Sequence, residues 1–141
     1  MDLSEQLRDL NSQLTAIIRR IASSHRLTFS QANILLSIPV DGILMSQLAD
    51  KIGIEISTAT RNLNKLENMG FVQRSKIHSD KRKVTLKVTN EGKEVIDKLE
   101  IDLDELSFSL QNLMSDEDKE RLYPVIESIN WNLTRIRAGN N

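Results

Sequence analysis

Residues 54–89 read IEISTATRNLNKLENMGFVQRSKIHSDKRKVTLKVT, and this stretch decides the fold. Its first half spaces apolar residues as an amphipathic helix does, with short polar and basic residues between them. Gly70 ends that helix, and the apolar residues Val84, Leu86 and Val88 then alternate with polar ones, as in a half-buried strand. A polar helix followed directly by a charged hairpin predicts a surface that reads a nucleic-acid groove with the helix and grips the backbone with the hairpin.

The charge of the chain is distributed unevenly. The net charge is −1, yet residues 54–89 carry eight basic and three acidic side chains, whereas residues 90–120 carry three basic and eleven acidic ones. A basic block beside an acidic block polarises the molecule, and this polarity favours one orientation toward phosphate. A solvated face without a partner is the alternative interpretation, and charge alone does not decide between the two.

The composition excludes several classes of function. The 141 residues contain no cysteine, which excludes disulfides, thiolate zinc sites and thiol redox sensing. Two histidines far apart and the lack of a glycine-rich phosphate loop leave no catalytic constellation, so we expect no enzyme activity, no cofactor and no metal site. The acidic N-terminus is unlike a signal peptide, and no apolar run approaches the roughly 20 residues that span a bilayer. A cytoplasmic protein without membrane contact is expected.

A helix-turn-helix is predicted before the hairpin. Gly53 separates a short helix from a second, more polar one, and this arrangement is typical of the motif. A very short strand at 43–44 precedes it. The predicted helices up to this point are 3–22, 29–37, 45–52 and 56–69.

The helix predicted at 56–69 is the candidate recognition helix. Ala59, Leu63, Leu66 and Met69 lie on one side and are expected to pack inward. On the other side an arginine suits a guanine edge, an asparagine an adenine edge, and a lysine a phosphate. An exposed polar face without a partner is the alternative. The predicted DNA-contacting side chains of this helix are Ser57, Thr58, Thr60, Arg61, Asn64 and Lys65.

The hairpin is predicted to have strands at 71–75 and 83–88. The connecting loop, 76–83, has four basic residues among eight and no glycine. Such a loop can lie against the minor groove, where an arginine meets enhanced negative potential. An acidic residue on the loop is explained if Asp80 holds Arg82 by a paired hydrogen bond. The predicted contacts of the hairpin with DNA are Arg74, Lys76, Asp80, Lys81, Arg82 and Lys83.

Both ends of the chain carry leucine-rich helical stripes. They lie in helices predicted at 3–22, 90–114 and from 116 onward, where Pro124 predicts a kink or a late start. Together they offer more apolar surface than one small core can cover, so a homodimer interface is predicted. The predicted fold is therefore mainly α with a small β-hairpin wing: one domain, 1–141, with a winged helix-turn-helix at 28–89 and a helical dimerisation region formed by 1–27 and 90–141.

Several motifs in this order resemble the MarR family of winged helix-turn-helix regulators. The most distinctive is Asp80-x-Arg82 followed by Val88-Thr89-x-x-Gly92. The resemblance implies a homodimer, a recognition helix in the major groove and Arg82 in the minor groove. Leu44 and Met45 depart from the family where a capping Thr or Ser is frequent, and Ile56 departs where a proline is common.

The resemblance also implies a function. It points to a sequence-specific DNA-binding transcription regulator, a repressor on a pseudo-palindromic double-stranded operator, released by a small anionic aromatic ligand. Such a ligand would bind where the dimer helices meet the winged region, around Ile17, Ile21, Phe29 and Met45, although core packing is the better explanation of these residues. The alternative function is a winged-helix module for protein interaction without specific DNA binding, and the basic hairpin speaks against it.

Overall fold

The computed structural model describes residues 1–77 and 80–139, without the side chains of residues 77 and 80–82. The sequence predicted every helix, and the observed bounds differ by two residues at most. The elements are α1 (Leu3–Ser24), α2 (Phe29–Ser37), β1 (Ile43–Leu44), α3 (Met45–Ile52), α4 (Ile56–Asn68), β2 (Val72–Ile77), β3 (Asp80–Val88), α5 (Asn90–Asn112) and α6 (Asp116–Arg137).

Side-chain caps explain where the first two helices begin. Asp2 accepts a hydrogen bond from the Glu5 amide at 2.9 Å, and the Glu5 carboxylate accepts one from the Asp2 amide at 2.9 Å. The hydrogen bond that the Glu5 amide donates to the Asp2 carboxylate is the main cause of the lowered pKa of Asp2. Thr28 and Gln31 form the same reciprocal pair at the start of α2, at 3.1 and 3.0 Å.

The wing is a three-stranded antiparallel sheet in the order β1-β3-β2, in which β2 and β3 form the predicted hairpin and β1 adds a third strand. The two-residue strand β1 pairs Ile43 with Leu86 and Leu44 with Thr85. The prediction of a loop over 76–83 was wrong in its extent, because β2 continues to residue 77 and β3 begins at residue 80. Charged residues are compatible with these strands since one face of the sheet is open to solvent.

The hydrophobic core lies between α2, α3, α4 and the sheet. Leu35, Leu48, Leu63 and Leu86 are fully buried there. The prediction that Met69 packs inward was wrong, since this side chain is 40% exposed. It follows the last residue of α4, where the helix no longer directs it toward the core.

One threonine joins the end of α4, the start of β2 and the start of α5. The Thr89 hydroxyl donates to the Gly70 carbonyl at 2.5 Å and accepts from the Gly92 amide at 3.0 Å, and it thereby caps α5. The Thr89 amide donates to the Phe71 carbonyl at 3.0 Å. Gly92 is buried, and a Cβ at this position would collide with the Phe71 carbonyl oxygen.

The chain divides into two compact units, Met1–Leu103 and Asp104–Asn141. In the second unit, Ser115 caps α6 by accepting from the Asp118 amide at 3.2 Å. The helix then runs through Pro124 without interruption, so the predicted alternative of a late start was wrong. The cap and three acidic residues in the first turn fix the start of α6 ahead of the proline. The division of the chain into dimerisation and winged segments stays a prediction.

Candidate nucleic-acid interface

The solvent-facing side of α4 presents four of the six predicted side chains. Ala59, Leu63 and Leu66 are fully buried, and they fix the rotation of the helix about its axis. The residues turned outward follow from that rotation, as the sequence predicted. The exposed members of the predicted set are Ser57, Arg61, Asn64 and Lys65.

The two threonines of the predicted set are half-buried instead. The Thr60 hydroxyl donates to the Ile56 carbonyl at 2.8 Å and lies 3.4 Å from the Met45 sulfur. A hydroxyl committed to its own helix is less available to a base or a phosphate. The Thr58 carbonyl accepts from the Asn62 amide group at 3.1 Å. This contact does not engage the Thr58 hydroxyl. The roles of both threonines as DNA contacts stay predictions, and their partial burial makes them weaker candidates than the exposed residues.

Arg74 contacts two residues of α4, the candidate recognition helix. Its Nε donates to Glu67 Oε2 at 2.8 Å, and its Nη2 donates to Glu67 Oε1 at 3.2 Å. The same Nη2 donates to Asn64 Oδ1 at 2.6 Å. A bidentate arginine–carboxylate pair is stronger and more directional than a single contact. Arg74 thereby fastens strand β2 to the C-terminal half of α4. Arg74 and Asn64, each predicted as a separate DNA contact, are bonded to each other.

The ion pair shifts the titration of both partners. The hydrogen bond from Arg74 lowers the pKa of Glu67, and the bond to Glu67 raises the pKa of Arg74. Glu67 therefore stays ionised and Arg74 stays positive at every pH near neutrality. Because a carboxylate neutralises it at close range, Arg74 attracts phosphate less strongly than an unpaired arginine does.

Two of the wing lysines predicted to contact DNA have described side chains, and these two, Lys76 and Lys83, lie on opposite faces of the sheet. Lys76 pairs with Val84 and so shares a face with Arg74, which pairs with the buried Leu86. Lys83 precedes Val84 and points to the other face, because successive side chains of a strand alternate. Both lysines are exposed. The structure thus brings Lys76 and Arg74 to one side of the wing, and it directs Lys83 to the other.

Three predicted contacts lie at the tip of the wing. The backbone of Asp80, Lys81 and Arg82 forms the start of β3, but their side chains lie outside the described part of the chain. The predicted bond between Asp80 and Arg82, and the predicted insertion of Arg82 into the minor groove, therefore stay predictions.

Sequence reasoning missed the role of Glu67. Glu67 was not among the residues predicted to contact DNA. A signal was available, because an acidic residue on α4 and an arginine on the following strand are separated only by the turn at Gly70. The helix and the strand run back along each other after such a turn, and opposite charges then meet.

A second pair of polar residues lies away from α4. His25 caps the C-terminal end of α1, and its amide donates to the Ala22 carbonyl at 3.0 Å. Its Nε2 also lies 2.6 Å from Asp102 Oδ2 on α5. This contact fastens the turn between α1 and α2 to α5.

Concave surfaces near the interface are shallow or small. An open depression of about 750 Å³ follows β2 and includes Glu67, Arg74 and Lys87. A cavity of about 200 Å³ lies between the starts of α3 and α4 and includes Met45, Ile56 and Lys83. No group of three or more His, Cys, Asp or Glu residues in the described part of the chain is arranged to hold a metal ion. None of the described helices is both long and apolar enough to cross a membrane.

Comparison with known proteins gives one family and a consistent set of structures. The model of the MarR family matches residues 10–84. A crystal structure titled MarR superposes with a TM-score of 0.86 at 23% identity, covering 99% of this chain and 95% of the other. The transcriptional regulator SlyA superposes with a TM-score of 0.82 at 20% identity over 100% of both chains. At these identities the structures establish a shared fold.

Two further structural matches were solved with DNA bound. The S. aureus MepR–DNA complex superposes with a TM-score of 0.77 at 17% identity and covers 94% of this chain and 98% of the other. A mutant MarR from E. coli complexed with operator DNA has a TM-score of 0.75 at 21% identity, with 90% and 92% covered.

Proposed function

The chain belongs to the MarR family, whose model matches more than half of it, and we propose that it is a homodimeric, sequence-specific DNA-binding transcription regulator. In this proposal it represses transcription from a pseudo-palindromic operator in the cytoplasm. A small anionic aromatic ligand releases it. The role requires no chemical step and no cofactor.

The outward face of α4 carries the proposal. Ser57, Arg61, Asn64 and Lys65 are exposed on a helix whose opposite side is fixed in the core. Arginine and asparagine side chains offer the donors and acceptors that base edges in the major groove require. A partner protein would not need this set beside a basic wing, whereas a DNA duplex would use both. The bound DNA in two structures of the same fold supports this choice.

Exposed apolar residues at the chain ends support a homodimer. On α1 the side chains of Leu3, Leu7, Leu10 and Leu14 are 40 to 73% exposed. Within the second unit, α6 has no buried residue, although leucines and isoleucines recur along it. A second copy would remove these stripes from water and hold two recognition helices about 34 Å apart, one turn of the duplex.

The proposed ligand acts on that spacing. It must bind one spacing of the recognition helices more tightly than another, because only differential affinity shifts an equilibrium. Phe29 is half-buried, and the Arg19 guanidinium lies 5.9 Å from its ring centroid. An aromatic ring beside a cation offers stacking and charge to an anionic aromatic molecule. These two residues are our candidates for its contact with the chain.

The test is binding to the DNA that flanks the protein's own gene, compared with a shuffled duplex of equal length. The parent, Arg61→Ala, Arg82→Ala and Gln73→Ala are measured at two salt concentrations. Gln73 is exposed on the sheet face opposite Arg74, and its substitution serves as the control. We expect the Arg61 and Arg82 variants to lose specific binding and the control to keep it.

Two outcomes would contradict the proposal. Equal affinity of the parent for the specific and the shuffled duplex would leave the protein-interaction module as the better function. A solution mass of one chain at micromolar concentration would remove the dimer, and with it the pseudo-palindromic operator.

A further inference from the structure

We propose that Glu67 is a specificity-determining positioning residue, which withholds Arg74 from the phosphate backbone and makes it fix the amide of Asn64 in one orientation. The inference rests on the proposed function, because it concerns how bound DNA is read. It adds a residue that has no direct contact with a base.

The three side chains form a chain of contacts from the helix to the strand and back. The Glu67 carboxylate accepts two hydrogen bonds from Arg74, at 2.8 and 3.2 Å. Arg74 also donates to Asn64 Oδ1 at 2.6 Å. The Arg74 side chain is 28% exposed and that of Glu67 39%. Both are sheltered enough for the pair to hold one geometry. Asn64 is the exposed end of the chain of contacts.

The contact with Arg74 selects one of the two orientations of the Asn64 amide. A guanidinium has donors only, so it faces the carbonyl oxygen of the amide and repels the NH2 group. Nδ2 is then turned away from Arg74. An outward NH2 group donates to acceptors in the major groove, which guanine offers at O6 and N7, adenine at N7 and thymine at O4. This orientation favours a single donated bond over pairing with both groups of the adenine edge that the sequence predicted for an asparagine, and cytosine itself, which presents only a donor there, offers no acceptor.

The same pair limits affinity for DNA of any sequence. An arginine that contacts a phosphate displaces counterions and strengthens binding without regard to sequence. Arg74 held by a carboxylate does so less. If Glu67 is removed, Arg74 becomes an unpaired cation on the strand beside the recognition helix. The residue thus lowers sequence-independent affinity and raises selectivity at one base pair in each half-site.

The test uses a duplex recovered by the parent protein from a randomised pool of about 20 base pairs, two turns of the helix. Every single base-pair substitution in one half-site is then measured for the parent, Asn64→Ala, Glu67→Ala, Arg74→Gln and the double variant Glu67→Ala/Asn64→Ala. Gln73→Ala is the matched control, on the same strand and the opposite face. Thermal unfolding checks that each variant is folded, and the slope of affinity against salt is measured for each.

Asn64→Ala identifies the base pair that Asn64 reads. At that base pair we expect Glu67→Ala and Arg74→Gln to lose discrimination by about fivefold, the contribution of one hydrogen bond, while other positions are unchanged. The double variant should lose no more than Asn64→Ala alone. Only Glu67→Ala should gain affinity for random duplexes, with a salt slope steeper by about one unit for each arginine that reaches a phosphate.

Uniform weakening at all positions, or unchanged discrimination at the base pair read by Asn64, would overturn the inference while the proposed function stands. If Glu67→Ala does not fold, Arg74→Gln carries the same test of discrimination. Failure of the parent to enrich any sequence from the pool would overturn the proposed function, and the inference with it.

Discussion

His25 Nε2 lies 2.6 Å from Asp102 Oδ2, so one contact joins residues 77 positions apart in the chain. The side chains are 21% and 32% exposed. We expect His25→Ala and Asp102→Ala each to lower the free energy of unfolding by about 1 kcal/mol, the value of a partly buried hydrogen bond. Chemical denaturation at neutral pH measures this. The double variant should cost less than the sum of the two, because both remove the same bond. Strict additivity would contradict the contact, and Glu100→Ala on the exposed side of α5 is the control.

Acid should weaken the fastening of β2 to α4. The pKa of Glu67 is lowered from its usual value of 4.5, chiefly by the hydrogen bond from Arg74. A depressed pKa in the folded state means that the stabilisation is complete above pH 4.5 and is lost as pH falls through the lower, folded value. The difference in unfolding free energy between the parent and Glu67→Gln should therefore shrink on acidification. A difference that grows below pH 4.5 would contradict the ion pair.

Gly92→Ala should be among the most destabilising single substitutions in the chain. The added methyl group would overlap the Phe71 carbonyl oxygen and contact a Val88 methyl, so α5 would have to move away from the sheet. Overpacking of this kind costs about 3 kcal/mol. The matched control is Gly70→Ala, where the added group meets open space and the positive φ of 80° alone costs about 1–2 kcal/mol. Equal losses in thermal unfolding would show that the close approach is unimportant.

The proposed dimer can be tested with one substitution made on two sides of α6. Ile129 belongs to the apolar stripe and is 37% exposed, whereas Trp131 lies about half a turn away and is 65% exposed. Ile129→Glu should weaken the dimer by 100-fold or about 3 kcal/mol, because an unpaired charge would be buried in the interface. Trp131→Glu should leave it intact. Sedimentation equilibrium distinguishes these results, and a dimer unaffected by Ile129→Glu would exclude this face.

The sequence predicted the rotation of α4 because burial of Ala59, Leu63 and Leu66 leaves only one outward side. The ion pair between Glu67 and Arg74 depends on how β2 packs on α4 after the turn at Gly70, and the order of charges along the chain suggests this pair without determining it. The length of the wing strands was underestimated because polar residues were taken to indicate a loop, whereas an open sheet face accepts them.

The close approach at Gly92 also limits how α5 can move. The gap between the backbone of α5 at Gly92 and the Phe71 carbonyl is too small to hold one carbon atom. Sliding of the helix along its axis would drive the flanking residues, which do have side chains, into that same carbonyl. Tilting about the glycine keeps the narrow contact in place. We therefore expect α5 to tilt about Gly92 more readily than it slides along its own axis.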